Sequence, residues 1–375
     1  MSLKIAVTSP FCWPYVRRGN RFDHELAAFL AERGHEVHFI TSKPGGISRK
    51  KQRGKVLEEQ HRLFCHPILP LFNIETWETF FLNCFRSLVR EDYDIVQTIW
   101  PPDGFAASLY RSIKGIPFVH LMVDSNYFFR PTALGKPMLR RILKTAASLE
   151  VPSNYVYEEL KTQLSMEGKL IPMPVNMNLF APNGNKKPDQ PRILCTSSFL
   201  DFRKRVHLLV LAFELLLKEI PNAILQLSGH GTVNQAAMGL FKLVKPETRR
   251  SIEILDVGRL EDMPRLYRQA SLTVLPSLRE AFGMVIIESL ASGTPVVGTR
   301  SGAIPEVLDN PGVGVLFEPT GSPQELCEAL LKGLELSQDP QTPMRCRQHA
   351  APYSWKELGP RYEALYMEVL NGHRR

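Results

Sequence analysis

Two glutamates with seven residues between them carry the most chemistry in this chain. They sit in Pro276-Ser277-Leu278-Arg279-Glu280-Ala281-Phe282-Gly283-Met284-Val285-Ile286-Ile287-Glu288-Ser289-Leu290-Ala291-Ser292-Gly293-Thr294-Pro295-Val296-Val297. Glu280 directly follows an apolar strand, in the loop at its carboxyl end, where ligands of α/β sheets sit. Gly283 lets the backbone approach a ligand closely, and the helix it opens offers free N–H groups to anionic or hydroxylated groups. Glu288 lies inside the apolar run Met284 to Leu290, where an unpaired carboxylate is costly. It therefore needs a partner: an arginine of the protein, or the vicinal hydroxyls of a nucleoside ribose. Glu280 taken alone also reads as a solvated loop residue. A third charge lies in Arg203-Lys204-Arg205-Val206. A basic triplet of this kind is either a solvated face or a place for phosphate, since lysine and arginine stabilise charge on a leaving diphosphate.

The elements that position these groups follow an alternating αβ pattern. Lys4 to Thr8 is a short apolar strand, and Asp23 to Arg33 has helical periodicity with Leu26, Ala27, Leu30 and Ala31 on one face. Gly34 closes that helix, and Val37 to Ile40 is the next strand, so the opening forms a βαβ unit. Asp94 to Val96 and Pro117 to Met122 supply further strands. A second series starts near Arg192: strand Ile193–Cys195, helix His207–Glu219, and strands Ala223–Leu227, Ile252–Ile254 and Leu272–Leu275. A helix from about Gly283 to Ser292 and strand Pro295–Val297 complete it. Pro172, Pro174, Pro182 and Pro188 punctuate the passage between the two series. The expectation is an α/β chain of two Rossmann-like domains with parallel sheets facing across a cleft. Residues 1–176 form the first domain, 177–355 the second, and a closing helix 356–375 packs back on the first.

Composition narrows the classes. A chain of 375 residues, 44% hydrophobic and 22% charged, is globular and suits two domains. Its formal net charge of +8 favours phosphate-rich or anionic partners. The basic residues are dispersed, with neither zinc-finger spacing nor an RNA-binding aromatic motif, so nucleic acid is not expected. Six scattered cysteines show no C-x-x-C spacing, which fits reduced thiols in a cytoplasmic protein and no structural zinc. The first residues enter a strand at once, without a signal-peptide pattern, and no run approaches the length of a membrane span.

With those elements placed, the glutamate stretch resembles glycosyltransferase family 4 and its GT-B relatives, whose donor site carries two glutamates at this spacing. The likeness extends along the chain. It takes in Arg33-Gly34-His35-Glu36-Val37, the crossing Ile171-Pro172-Met173-Pro174-Val175-Asn176-Met177-Asn178-Leu179-Phe180, and the turn Ser228-Gly229-His230-Gly231. Gly302-Ala303-Ile304-Pro305-Glu306 and Gly314-Val315-Leu316-Phe317 resemble the two elements that follow the motif. The resemblance implies a retaining hexosyltransferase that needs neither metal nor cofactor and takes a UDP-, GDP- or other nucleoside-diphosphate sugar. Glu280 would meet the donor sugar's hydroxyls and Glu288 the ribose. The backbone of Phe282, Gly283, Met284 and Val285 would meet sugar and diphosphate, with Lys204 and Arg203 as the cations. Gly258 and Arg259 fall where relatives meet the nucleobase.

The first domain departs from the family pattern. Relatives place paired glycines after strand one; here Arg17 and Arg18 take those places and Gly19 comes one later, so arginine side chains replace backbone donors or the register shifts. Many relatives carry an arginine six residues before the lysine, where this chain has Ser198. The family histidine of the acceptor side falls on Val123. Asp124 is the best substitute for a polar group there, and His120, on the same side of the strand by two-residue alternation, is the second.

The acceptor is legible only as a class: a sugar, glycolipid or small molecule, in glycan, glycolipid or secondary-metabolite glycoside synthesis. Trp77, Phe80, Phe81, Phe85 and Leu88 form an aromatic stripe, and Met138 to Lys144 mixes cations with Leu139, Ile142 and Leu143. These are core-facing stripes, or faces resting peripherally on anionic lipid at the inner membrane face. The basic run Ser48 to Lys55 reads as a mobile loop. From another functional class, a catalytically silent relative that binds nucleotide sugar or a partner transferase is the alternative.

Overall fold

The computed structural model describes residues 2–10, 21–44, 49–63, 80–123, 135–182, 189–197, 201–228, 239–255 and 262–373. The chain divides into two compact units, Met1–Pro174 with Trp355–Arg375, and Val175–Ser354.

In the first unit, strands β1 (Lys4–Thr8), β2 (Glu36–Pro44), β3 (Arg49–Arg53), β4 (Val56–Leu63), β5 (Ile95–Thr98), β6 (Phe118–Leu121), β7 (Ser148–Val151) and β8 (Lys169–Leu170) form one sheet. Its order among the described residues is β3-β4-β2-β1-β5-β6-β7-β8. Every pair is parallel except β3–β4 at the edge. The basic run expected to be a mobile loop is thus strand β3 and its turn, paired antiparallel with Glu58 and Glu59 opposite Lys51 and Lys50. A cationic edge strand needs only one neighbour and repels further pairing, which is why it lacks apolar alternation.

Helices α1 (Arg21–Glu32), α2 (Phe80–Leu88), α3 (Pro101–Lys114), α4 (Gly135–Thr145) and α5 (Asn154–Leu164) cover this sheet. Phe80, Cys84 and Leu88 of α2 and Ile142 of α4 lie in one buried cluster with Val96, Tyr110 and Phe118. Both stripes raised as membrane faces are therefore core faces wherever they are described; Trp77 lies outside the described residues. The closing helix Trp355–His373 belongs to this unit as well. Trp355 stacks on Phe22 and Phe29 and donates to Glu25 at 2.8 Å, while Tyr362 and Tyr366 are fully buried.

The second unit contains β9 (Arg192–Thr196), β10 (Ile224–Ser228), β11 (Ile252–Leu255), β12 (Leu272–Leu275), β13 (Val296–Thr299) and β14 (Gly314–Phe317). All its strand pairs are parallel, in the order β11-β10-β9-β12-β13-β14. Its described helices are α6 (Val206–Glu219), α7 (Pro246–Arg249), α8 (Met263–Gln269), α9 (Met284–Ala291), α10 (Ile304–Val307), α11 (Pro323–Leu336) and α12 (Thr342–Ala350), which makes the closing helix α13. Apolar residues on both faces of β9, β10 and β12 explain their near-continuous hydrophobic runs, as expected of a doubly covered parallel sheet. Strand order reverses between β9 and β12. At such a reversal the crevice outside the carboxyl ends of the two strands is where a sheet of this kind holds ligand.

Candidate functional site

The gap between β9 and β12 holds the charged residues singled out above. After β9 the chain makes a short 3-10 turn, Phe202–Lys204, capped by the Asp201 side chain on the Arg203 amide at 3.0 Å. After β12, Leu278 donates to the Arg203 carbonyl at 2.8 Å, so the two loops are joined by backbone. The Lys204 ammonium then donates to the Glu280 carboxylate, Nζ to Oε2, at 2.7 Å. Their side chains are 22% and 18% exposed, leaving both reachable by a ligand while shielded enough for the charges to be felt.

Glu280 is held from behind. It forms a parallel bridge with Gly302, and Ala303 donates to its carbonyl at 2.8 Å. Gly302 has φ +64° and lies against the Glu280 main chain, leaving no room for a side chain. Gly283 has φ +100° and occupies the N-cap of α9, turning the chain so that the Met284 and Val285 amides open the helix. The Phe282 ring is buried against Tyr353 at 6.0 Å between centroids, so this residue offers the site its backbone. Further along α9, Glu288 accepts a hydrogen bond from the Tyr267 hydroxyl at 2.9 Å. The carboxylate in the apolar run thus has a tyrosine partner, and burial together with Glu288 raises that tyrosine's pKa.

Not every candidate is placed alike. Arg203 turns back on Asp201, with Nη2 to Oδ2 at 2.8 Å and Nε to Oδ1 at 3.2 Å. Asn176 accepts from the amides of Asn178 and Leu179 at 3.1 Å, tightening the crossing segment. His120 is fully buried, its Nδ1 2.6 Å from the Thr98 hydroxyl and its ring against Gly104; burial lowers its pKa to about 3. A neutral ring in the middle of a sheet is a packing residue. Asp124, Gly258, Arg259, Gly19, Arg18 and Ser198 lie outside the described residues.

Sequence reasoning passed over Tyr267, Asp201 and Arg205. Tyr267 and Arg205 act through contacts between elements distant in the chain, while Asp201 acts locally, as the cap of the turn that carries Lys204. Among the described residues no group of three or more His, Cys, Asp or Glu is arranged to hold a metal, and no helix is long and apolar enough to cross a membrane.

With that geometry in place, similarity to known proteins is informative. Residues 19–179 match the family described as Glycosyltransferase Family 4, and residues 179–351 match Glycosyl transferases group 1. Over 99% of this chain and 98% of the other, the sequence is 27% identical to N-acetyl-alpha-D-glucosaminyl L-malate synthase of Bacillus anthracis. Among solved structures, sucrose-phosphate synthase of Thermosynechococcus elongatus superposes with TM-score 0.82 at 21% identity, covering 98% of this chain and 99% of that one. A trehalose-6-phosphate protein from E. coli, solved with UDP-2-fluoro glucose bound, superposes with TM-score 0.73 at 12% identity over 98% and 99% of the two chains.

Proposed function

The chain belongs to the family 4 glycosyltransferases of the GT-B fold, and from that premise we propose that it moves a sugar, with retention, from a nucleoside-diphosphate sugar to an acceptor hydroxyl. The observation that carries this reading is the Lys204–Glu280 contact in the gap between β9 and β12, with Glu288 held on Tyr267 in the same segment.

In this reading a sugar nucleotide enters the existing ion pair. Its diphosphate takes Lys204 and the amides opening α9; its sugar hydroxyls donate to Glu280; its ribose hydroxyls donate to Glu288. Binding therefore replaces a protein–protein charge contact by two protein–ligand ones, and the geometry is ready before the donor arrives. As the C1–O bond to the diphosphate breaks, negative charge grows on the leaving oxygen and Lys204 stabilises it. The acceptor oxygen bonds to C1 on the same face, and its proton passes to the departing phosphate oxygen. No cofactor is assigned a part. A retaining glycosidase pair would need two carboxyls flanking the scissile bond, whereas in this reading Glu280 serves the sugar's hydroxyls and Glu288 the ribose.

One relative's name specifies L-malate and another's, 26% identical over 97% of this chain, phosphatidylinositol, so a small hydroxylated acceptor is supported here only by the buried faces of α2 and α4, which leave those helices no lipid-facing stripe. Neither the fold nor the relatives favour a catalytically silent binder. The test is a thermal-shift screen of nucleoside diphosphates and their sugars, followed by release of nucleoside diphosphate by the native chain and Glu280→Gln. Donor binding retained with turnover lost supports the assignment. Equal turnover in both proteins removes Glu280 from it.

A further inference from the structure

Arg205 is the residue after Lys204, and its position in the fold is unusual. It adopts φ +46° and ψ +35°, a left-handed conformation that a side chain rarely takes, and it both closes the 3-10 turn and opens α6. Its amide donates to the Phe202 carbonyl at 3.1 Å, and its own carbonyl accepts from Leu208 at 3.0 Å. The residue is only 5% exposed.

All three guanidinium nitrogens are engaged. Nε donates to the Pro276 carbonyl at 2.8 Å, Nη2 to the Thr299 hydroxyl at 3.2 Å, and Nη1 to the Pro319 carbonyl at 3.2 Å. Those acceptors stand just beyond or at the carboxyl ends of β12, β13 and β14. The guanidinium also lies over the Phe317 ring, 5.7 Å from its centroid. Among the described residues its hydrogen bonds go only to neutral acceptors. A buried cation with no acid beside it costs desolvation, consistent with the lowered pKa that burial gives it. What it gains is three directions at once, from one plane, which an ammonium cannot reproduce.

We propose that Arg205 is a positioning residue of the donor site: its planar fork ties the loops leaving β12, β13 and β14 to the turn that carries Lys204, and so sets where Lys204 stands relative to Glu280. This rests on the proposed sugar-nucleotide reading of the site. Pro276 lies four residues before Glu280, and Thr299 lies three before Gly302, which supports the Glu280 backbone. Both halves of the ion pair are therefore referenced to one guanidinium. Burial, the left-handed backbone and the neutral acceptors together distinguish it from the half-buried Arg203, which pairs with Asp201.

The experiment measures nucleoside-diphosphate release from UDP-N-acetylglucosamine, UDP-glucose, GDP-mannose and ADP-glucose by the native chain, Arg205→Gly, Arg205→Lys and Thr299→Val. Glycine suits the positive φ, so Arg205→Gly keeps the backbone while losing the fork. It is expected to turn over on the order of 10²-fold more slowly, the scale of a 1 Å misplacement. Millimolar guanidinium chloride, but not sodium chloride, should restore part of that turnover. Arg205→Lys should remain as slow as Arg205→Gly, and Thr299→Val, which removes a single tether, should fall several-fold in kcat with donor KM little changed, measured well below the melting temperature of each variant. Native turnover in Arg205→Lys, no response of Arg205→Gly to guanidinium, or native turnover in Thr299→Val each overturns the proposal. Those results with Glu280→Gln still inactive leave the sugar-nucleotide reading standing. Failure of the native chain to turn over or bind any of the four donors overturns both.

Discussion

The Tyr267 hydroxyl lies 2.9 Å from the Glu288 carboxylate, joining α8 to α9 across twenty-one residues of chain. Glu288 needed a hydrogen-bonding partner because of the apolar run around it, and one of its oxygens has found a phenol. In the proposed reading this bond orients the carboxylate that meets the ribose. Tyr267→Phe removes that bond while keeping the ring that packs at 5.9 Å from Phe180. The expected loss is about 1 kcal/mol, roughly a fivefold rise in donor KM, with kcat little changed. Steady-state kinetics on the accepted donor check it; a fall in kcat alone would place Tyr267 on the wrong part of the reaction.

Lys204 offers a sharper partition. If its ammonium serves the diphosphate, Lys204→Met should weaken nucleoside-diphosphate binding by about 10- to 100-fold, the range for a hydrogen bond to a charged group. Binding of the unphosphorylated nucleoside should stay as it was. Calorimetry with both ligands separates the two. An equal loss for the nucleoside would show that the substitution damaged the pocket and not a phosphate contact.

Gly302→Ala probes the support behind Glu280. A methyl group there would sit 2.5 Å from the Glu280 nitrogen and 2.9 Å from the Arg279 carbonyl carbon, on a backbone with φ +64°. Both the strain and the collision displace the bridge that holds Glu280. The expected cost is on the order of 1–3 kcal/mol of stability. Turnover should fall more steeply than donor binding. A crystal structure of the variant should find the Lys204–Glu280 distance of 2.7 Å lengthened; an unchanged distance with unchanged kinetics defeats the argument.

Much of this architecture is written in local pattern. The alternating runs place β1, β5, β9, β12 and α6 within a residue or two, because buried parallel strands are continuously apolar and glycine marks where helices end. The glutamate spacing is legible for the same reason: strand end, glycine and helix follow one another without interruption. What local pattern cannot convey is partnership between distant segments. Arg205 reads as one cation of a basic triplet until its acceptors at 276, 299 and 319 are brought around it by the strand order. His120 reads as a substitute for a missing polar group until Gly104 is found against its ring. Strand β3 reads as a loop because cations at a sheet edge carry no alternation.

The last prediction concerns the first unit, where Glu150 on β7 is fully buried. Gln97 donates to it at 2.8 Å and in turn accepts from the Tyr366 hydroxyl of α13 at 2.8 Å. Burial raises its pKa from 4.5 to about 8, partly countered by the Gln97 bond. Between those two values the folded chain keeps a proton that the unfolded chain has lost. Folding stability therefore falls as pH rises through this window and levels off above it. Asp23, raised by burial to about 7, adds a slope of the same sign. Glu150→Gln keeps a hydrogen-bonding group beside Gln97 but has no proton to lose, so the Glu150 part of the slope should vanish while the parts due to Asp23, buried Asp103 and, with opposite sign, His120 stay the same in both proteins. All four tryptophans, Trp13, Trp77, Trp100 and Trp355, lie in the first unit, so urea unfolding followed by tryptophan fluorescence reports on it. At pH 5 the two proteins should be close; by pH 9 the variant should be more stable by on the order of a few kcal/mol. Parallel pH profiles would mean that Glu150 is charged in the fold and that the chain from β7 to α13 is held by other bonds.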